Sequence, residues 1–379
     1  MDLLRRTCLR GFEADDPSAR PWVPQARRRQ FSVQEAPLPA LLKAALNLIG
    51  VADYGPGEKV AWWLHFTVDG HAYELAHQKF GLRLYLRASI EEAEALELLE
   101  KTAMKLLAAV KPTERLILRF APQVLGRGDV TVKNQDRSLL RAYQYFRGRC
   151  LNPEQILDTH EEQYVEFPSG GRAKAYSFTS GRAQTELNAT HDFVAALTAY
   201  LSLLEHRLVL SLAFTDFDPE RDNLTSIIGL NWGSKWRRLL GTQGPSAQYR
   251  QRLTEVVERW RNPYSHGGFE KGHGATLYLH TPGIGALPIA MSDVYSRARF
   301  SLAMASDTTR TEVFELFDEI DAWMRTALPE AVAWIESGLD IRFDDDFRRL
   351  VELARSGDDM EGLIRAFEYE QSVIDNMDY

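Results

Sequence analysis

The first region of the chain alternates apolar and polar residues at the spacing of β-strands. Residues 60–67 and 72–76 alternate in this way and flank Asp69-Gly70, a dipeptide typical of two-residue hairpin turns. Residues 81–87 continue the pattern as a third strand, and an apolar run at residues 38–49 predicts a short helix before them. We therefore expect an antiparallel sheet in this part of the chain.

Two longer helices are predicted to complete this first region. Ser89 and Glu92 form the Ser-x-x-Glu pattern of a capping box at the start of a helix over residues 90–110. A further helix is predicted at residues 136–149. These elements assign residues 1–165 to an α+β N-terminal domain, which is a candidate sensor or regulatory domain.

A change of pattern after residue 165 predicts a linker and then helices. Phe167-Pro168-Ser169-Gly170-Gly171 is the strongest loop signal, so residues 166–187 are assigned to a linker with an extended stretch at residues 175–179. Apolar residues then recur at helical spacing, which predicts a helical bundle over residues 188–338. The predicted fold class is thus an α+β N-terminal region followed by a mainly α-helical bundle.

The predicted bundle begins with a long helix and contains one insert. Its first helix starts at Thr190 or Asp192 and ends near Phe214. The later predicted elements are helices at residues 223–240, 246–262 and 308–338, an insert at residues 267–305 with strand-like stretches at 277–280 and 284–290, and an acidic helical tail at residues 339–379.

Composition excludes several classes of protein. A chain of 379 residues with 45% apolar residues is long enough to bury two sizeable cores. Its two cysteines, Cys8 and Cys150, have no metal-ligand spacing and are expected to be reduced thiols. The N-terminus has charges where a signal peptide needs an apolar run, and the apolar stretch at residues 193–214 is interrupted by charges. We therefore expect a cytoplasmic protein that does not span a membrane.

The net charge of −8 is concentrated at one end of the chain. Residues 331–379 contain 13 acidic and 5 basic residues, which accounts for the whole excess. Basic clusters occur elsewhere, at Arg27-Arg28-Arg29, Lys235-Arg237-Arg238 and Arg250-Arg252. Because local patches decide nucleic-acid binding, the acidic average does not exclude such a partner.

The most specific chemical signal is Arg261-Asn262-Pro263-Tyr264-Ser265-His266. Pro263 lacks an N–H donor and disfavours helix for Asn262, so the helix is predicted to end here, with Arg261 on its last turn and His266 just beyond. Arginine carries a permanent charge with a fork suited to phosphate, and histidine moves protons near neutral pH. These two groups suffice to cleave RNA through its own 2′-hydroxyl, so no metal or other cofactor is expected.

This motif, with the following Gly267, resembles the Arg-x4-6-His signature of HEPN domains, including the polar residue directly after the arginine. The resemblance covers residues 188–338, and the long insert after the motif departs from the family pattern. It implies a homodimer that brings two motifs into one cleft and a metal-independent endoribonuclease of a toxin or of abortive-infection antiphage defence. By position, Arg261 would orient and stabilise the scissile phosphate, His266 would transfer protons, and Asn262 would support the phosphate or hold the arginine. The products would be a 2′,3′-cyclic phosphate and a 5′-hydroxyl.

Two further side chains are candidates for supporting roles. Glu205 interrupts the apolar stripe of the first bundle helix, and HEPN sites often include a polar residue from a neighbouring helix. The alternative is a rim position in which Glu205 meets water or pairs with an arginine. Tyr264 is a candidate to stack on a base, or to pack on the bundle. For the motif itself, the alternative is a helix-stop turn in which Arg261 and His266 are satisfied locally.

The resemblance implies RNA as the partner, either single-stranded RNA or transfer RNA. Two alternatives remain open. In one, the bundle is a catalytically inactive HEPN-like module that binds RNA or protein. In the other, the chain is a subunit that needs a separate regulatory partner, such as an antitoxin-like nucleotidyltransferase or a phage trigger.

Overall fold

The computed structural model describes residues 2–15, 27–168, 170–215, 217–262, 276–283, 285–290 and 307–376. The chain divides into two compact units, one comprising Met1–Leu125 with Arg365–Tyr379 and the other Gly126–Ile364. Strands dominate the beginning of the chain and helices dominate the rest, which confirms the α+β region followed by a mainly helical one.

The first unit is built on an antiparallel sheet of six strands. Its strand order is β1-β4-β5-β6-β2, with β3 also paired to β4. The elements in chain order are α1 (Asp2–Arg6), β1 (Phe12–Ala14), β2 (Arg27–Gln30), α2 (Pro39–Asn47), β3 (Asp53–Tyr54), β4 (Val60–Val68), β5 (His71–Gln78), β6 (Gly81–Leu86) and α3 (Glu92–Arg127).

The sheet follows from the alternation seen in the sequence. In β4, Leu64, Phe66 and Val68 are buried, and they join buried side chains of β6, α2 and α3 in one core. Asp69 and Gly70 connect β4 to β5, and both have positive φ angles, of 52° and 84°. Positive φ at both central residues is what a type I′ turn requires, so the predicted hairpin is confirmed, with Val68 paired to His71 across the turn.

Helix α3 is longer than the sequence predicts. It begins at Glu92 and runs to Arg127, with Pro112 and Pro122 inside it, whereas the prediction ended it at residue 110. Pro112 has no N–H to donate to the carbonyl of Ala108 four residues earlier. The Sγ of Cys8 donates to that carbonyl at 3.4 Å, so a distant thiol replaces the missing helical hydrogen bond.

The second unit is mainly helical. Its elements in chain order are β7 (Thr131–Val132), α4 (Asp136–Leu151), β8 (Thr159–Glu166), β9 (Arg172–Thr179), α5 (Gly181–Ser211) with a 3-10 turn (Leu212–Phe214), α6 (Leu224–Ile228), α7 (Trp232–Leu240), α8 (Gly244–Val256) with a π-helical turn (Val257–Arg261), β10 (Thr276–Thr281), β11 (Gly285–Ala290), α9 (Asp307–Ala327), α10 (Pro329–Ser337), β12 (Ile341–Arg342) and α11 (Asp345–Ser356). Helix α12 (Met360–Asn376) begins in this unit and ends in the residues grouped with the first.

An aromatic core holds the bundle together. Tyr200 of α5 and Phe317 of α9 stack with ring centroids 3.9 Å apart, and Tyr143 of α4 packs against both rings. Among the described helices, the segment Gly181–Phe214 is long and apolar enough to cross a membrane by length and composition, but 61% of its apolar window is buried inside the protein. That burial is typical of the central helix of a bundle.

The division of the chain differs from the predicted domain boundaries. The boundary was predicted at residue 165, but α4 packs on α5 through Tyr143, so it belongs to the bundle core and the division falls after Leu125. The predicted linker at residues 166–187 contains β9 and the first turns of α5. The strand-like stretches of the insert are confirmed as the hairpin β10–β11, and the acidic tail contains the helices α11 and α12.

Helix α5 starts about nine residues earlier than predicted because of contacts with the preceding loop. The side chain of Ser180 accepts a hydrogen bond from the Ala183 N–H, and Asp158 accepts one from the Gly181 N–H at 2.8 Å. Gly181 is buried against the backbone of Ile156 and Leu157, where a Cβ would overlap their atoms.

We therefore expect opposite effects from two glycine-to-alanine substitutions. Gly181→Ala should destabilise the protein by about 1–3 kcal/mol, because a Cβ has no room there. Gly148→Ala, in helix α4 with open space around it, should stabilise the protein by about 0.5–1 kcal/mol through lower backbone entropy. Chemical denaturation of both variants checks this, and equal effects would contradict the close packing at Gly181.

Candidate active site

The candidate catalytic arginine lies in a distorted turn that continues helix α8. Helix α8 passes at Val257 into a π-helical turn that ends at Arg261, and the backbone N–H of Asn262 donates to the Val257 carbonyl. Such turns are rare and are frequently found at functional sites. The helix end predicted from Pro263 falls outside the described residues, which follow the helix as far as Asn262.

The side chains of Arg261 and Asn262 are in contact. The Nη1 of Arg261 donates to Oδ1 of Asn262 at 3.2 Å, and both residues are half-buried. The amide restrains one nitrogen of the guanidinium before any ligand binds. The arginine therefore loses less conformational entropy when it binds a phosphate. Pro263, Tyr264 and His266 lie outside the described residues, so the geometry of the motif is known for its first two members.

Aromatic packing fixes the helix end that carries Arg261. Trp260 meets Phe193 of α5 edge to face at 5.8 Å, and Phe193 meets Phe314 of α9 at the same distance. Arg259 stacks on the outer side of Trp260 at 4.7 Å. The arginine is thus attached to the rigid core of the bundle, which is the kind of scaffold that positions a catalytic group.

Glu205 lies elsewhere on helix α5. It is 12 residues after Phe193, which corresponds to about 18 Å along a helix axis. Its carboxylate accepts a hydrogen bond from Nζ of Lys235 in α7 at 2.6 Å. The structure therefore pairs Glu205 with a buried lysine and does not place it beside the Trp260–Phe193 contact next to Arg261.

The basic clusters noted in the sequence are largely engaged in ion pairs. Arg238 binds Asp222 and Arg252 binds Glu319, in addition to the pair between Lys235 and Glu205. In the first unit, Arg29 binds Glu35 and Glu100. These pairs give four of the eight clustered basic residues a local carboxylate partner.

A buried ion network surrounds Arg207, and no motif in the sequence predicted it. Its Nε donates to Asp136 at 2.6 Å and its Nη1 lies 3.1 Å from Asp321, while Tyr200 donates to the other oxygen of Asp321 at 3.0 Å. The side chains of Arg207 and Asp136 are only 8% and 2% exposed. No residue spacing predicts this network, because Asp136 and Asp321 are far from Arg207 in the chain. The sequence signal is the charged run Glu205-His206-Arg207 within an apolar helix.

Burial and charge shift the pKa values in this network in different directions. Burial lowers the pKa of Arg207, but its hydrogen bond to Asp136 and the nearby carboxylates raise it to a net value above the usual 12.5. Burial raises the pKa of Asp321. The charge of Arg207 and the two hydrogen bonds donated to the carboxylate lower it by a smaller amount, so the net pKa is raised. The network therefore depends on a permanently charged arginine between two carboxylates.

A cavity of about 470 Å³ opens beside this network. Arg147 closes one side through two hydrogen bonds of 2.6 Å to Asp318, and Arg325 pairs with Glu336 on another. The cavity lining thus combines arginines with carboxylates that neutralise them. Within the described part of the chain, no group of three His, Cys, Asp or Glu side chains is arranged to hold a metal ion.

His206 completes this network at the start of helix α4. Its Nε2 accepts a hydrogen bond from the backbone N–H of Gln135 at 2.9 Å, one of the groups that a helix N-terminus leaves unsatisfied. Burial lowers the pKa of His206 from its usual 6.5, and Arg207 lowers it further, against the opposing charge of Asp136. The neutral ring is the form that accepts this bond.

Protonation of His206 should therefore cost stability at acid pH. Since the pKa is lower in the folded state, the unfolded chain takes up the proton first, and stability falls as the pH decreases from about 6.5 through the folded pKa. In His206→Gln, whose amide oxygen is able to accept the same bond, this part of the pH dependence should disappear. Denaturation of both proteins between pH 5 and pH 8 provides the measurement, and parallel curves would contradict the assignment.

Comparison with known proteins gives no relative: no family model, no curated protein and no solved structure matches the chain.

Proposed function

We propose that this protein is an endoribonuclease of the HEPN type, which cleaves RNA at a composite site formed by Arg261 and His266 from each copy of a homodimer. The observation that supports it best is the placement of Arg261. Its guanidinium is restrained by Asn262 at the end of a π-helical turn, and that turn is attached to the bundle core by Trp260.

In the proposed reaction, the 2′-oxygen of the substrate attacks the adjacent phosphorus while His266 accepts the 2′-hydroxyl proton. The bond from phosphorus to the 5′-oxygen breaks, and the leaving oxygen takes a proton from the second histidine of the composite site or from water. Arg261 stabilises the charge that develops on the phosphate, and Asn262 holds the arginine in place. The products are a 2′,3′-cyclic phosphate and a 5′-hydroxyl, and every step uses the chain's own groups and the substrate.

The proposal places this activity in the cytoplasm, on single-stranded RNA or transfer RNA, in antiphage defence or as a toxin. The first unit would then sense a trigger or restrain the nuclease. The test distinguishes this nuclease from two alternatives. One is a catalytically silent module that binds RNA or protein, and the other is a subunit that acts only with a regulatory partner.

The test is cleavage of single-stranded RNA and transfer RNA by the purified protein in EDTA. We expect cleavage to persist in the chelator, to leave 2′,3′-cyclic phosphate ends, and to disappear in His266→Ala. Loss of activity in EDTA would contradict the metal-free mechanism. Binding of RNA without cleavage would favour the silent module, and activity that appears only with a co-purifying protein would favour the regulated subunit.

A further inference from the structure

The hairpin β8–β9 projects from the second unit as a ribbon of two strands. Its strands pair along their full length, from Thr159 with Thr179 to Glu166 with Arg172, and form a sheet of their own. All residues of β8 and all but Ala175 of β9 are exposed. A two-stranded ribbon alone in water is only marginally stable, so a ribbon of this length gains from a second surface that covers it.

One face of the ribbon carries its aromatic side chains. Because side chains alternate along a strand, the even-numbered residues of β8 and β9 share a face, which we call the hairpin face. Contacts confirm this arrangement: the rings of His160 and Phe178 lie 4.9 Å apart, and Arg172 lies 4.2 Å above the ring of Tyr164. Tyr164, Tyr176 and Phe178 are 58%, 70% and 58% exposed, which is unusual for three large aromatic side chains on one surface.

The charges of the hairpin face are separated by strand. Its acidic residues, Glu162 and Glu166, are on β8, and its basic residues, Arg172 and Lys174, are on β9. Lys174 binds Glu162 at 2.6 Å across the ribbon. A surface with acids on one strand and bases on the other is complementary to itself when it is turned by a two-fold rotation.

We propose that the hairpin face is an interface for a second copy of this chain. When two ribbons stack face to face around a two-fold axis parallel to the strands, β9 of each copy lies over β8 of the other. Glu166 then faces Arg172 of the second copy, and Tyr164 faces its Lys174. The exposed aromatic rings of both copies are buried between the ribbons, where such pairs stabilise an interface.

The charge pattern favours a second copy over RNA as the occupant. Nucleic acid is bound by surfaces with an excess of positive charge, because each phosphate contact needs a cation. The hairpin face has equal numbers of acidic and basic residues, so it offers no such excess. This inference rests on the hairpin alone and does not depend on the proposed nuclease activity.

Two charge variants of the full chain provide the test. In Glu162→Lys/Glu166→Lys all four charges of the hairpin face are basic, and in Arg172→Glu/Lys174→Glu all four are acidic. Because the hairpin face is the contact that holds the two copies of the proposed homodimer together, we expect the wild type to sediment at twice the chain mass of 43.1 kDa and each variant alone at the single mass. An equimolar mixture of the two variants should recover the double mass, because a basic face then meets an acidic one.

A matched control and a second variant keep the test decisive. Glu161→Lys changes a charge on the opposite face of the ribbon and should leave the double mass unchanged. Tyr164→Ser/Tyr176→Ser/Phe178→Ser should give the single mass, with circular dichroism reporting that the helices remain folded. A monomeric wild type, or charge variants that keep the wild-type mass, would overturn the proposal, as would RNA binding that requires these rings in a monomeric protein. RNA cleavage plays no part in these readouts, so failure of the nuclease proposal would be seen separately.

Discussion

Replacing Arg207 by alanine is expected to lower the free energy of unfolding by about 3–5 kcal/mol at pH 7, the largest effect of any single substitution that we predict. The change removes the cation between Asp136, which is 2% exposed, and Asp321, whose pKa is already raised by burial. Asp136 would remain in the bundle interior without the cation bonded to it, and Asp321 would lose the cation that contacts it. Chemical denaturation with a probe for the tryptophans of the bundle measures the loss.

The pH dependence of that variant gives a second check. A carboxylate that has lost its cation becomes neutral more readily. The deficit should therefore shrink as the pH is lowered toward the range in which Asp321, whose pKa burial already raises, takes up a proton. Arg252→Ala is the matched control. Both members of its ion pair with Glu319 are exposed, and the expected effect is below about 1 kcal/mol. Equal losses in the two variants would mean that the buried network contributes no more than a surface pair.

Replacing Arg261 by alanine is expected to reduce RNA cleavage by about 100- to 1,000-fold while leaving the fold intact. The guanidinium is proposed to meet the charge that develops on the phosphate in the transition state, so its loss should lower kcat more than it raises KM. The side chain is half-buried and lies at a helix end, so its removal should have little effect on unfolding.

Two further variants separate charge from geometry at this position. Arg261→Lys keeps the charge but loses the planar fork and the donor to Asn262, so its activity should lie between those of the alanine variant and the wild type. Arg182→Ala, at an exposed position in the first turn of α5, removes the same charge far from the motif in sequence and should cleave like the wild type. Undiminished cleavage by Arg261→Ala would remove this residue from the mechanism.

Local chemistry made much of the fold predictable. Three of the six strands of the first unit, β4, β5 and β6, follow from alternation and from the turn at Asp69-Gly70, and these three were predicted at nearly their observed bounds. The stripe that includes Phe193 and Tyr200 predicted a core helix, and both residues are fully buried. These features depend on residues close together in the chain, so the pattern was sufficient to reveal them.

Errors occurred where a distant residue changes a local rule. The helix predicted to end at residue 110 continues through Pro112, and Cys8 donates to the carbonyl that the proline leaves unsatisfied. The N-terminus of α5 was missed because Asp158 satisfies the backbone of Gly181. In both cases the partner lies more than 20 residues away in the chain, where local sequence patterns give no information about contacts.

The sequence by itself determined that this protein has an antiparallel sheet followed by a helical bundle, and that Arg261 lies on one of the bundle helices. Only the tertiary structure decided which groups meet. It paired Glu205 with Lys235, enclosed Arg207 between Asp136 and Asp321, and left the aromatic face of the β8–β9 ribbon exposed. The physical reason is that periodicity and turn chemistry act over a few residues, whereas ion pairs and exposed surfaces are set by how whole elements pack.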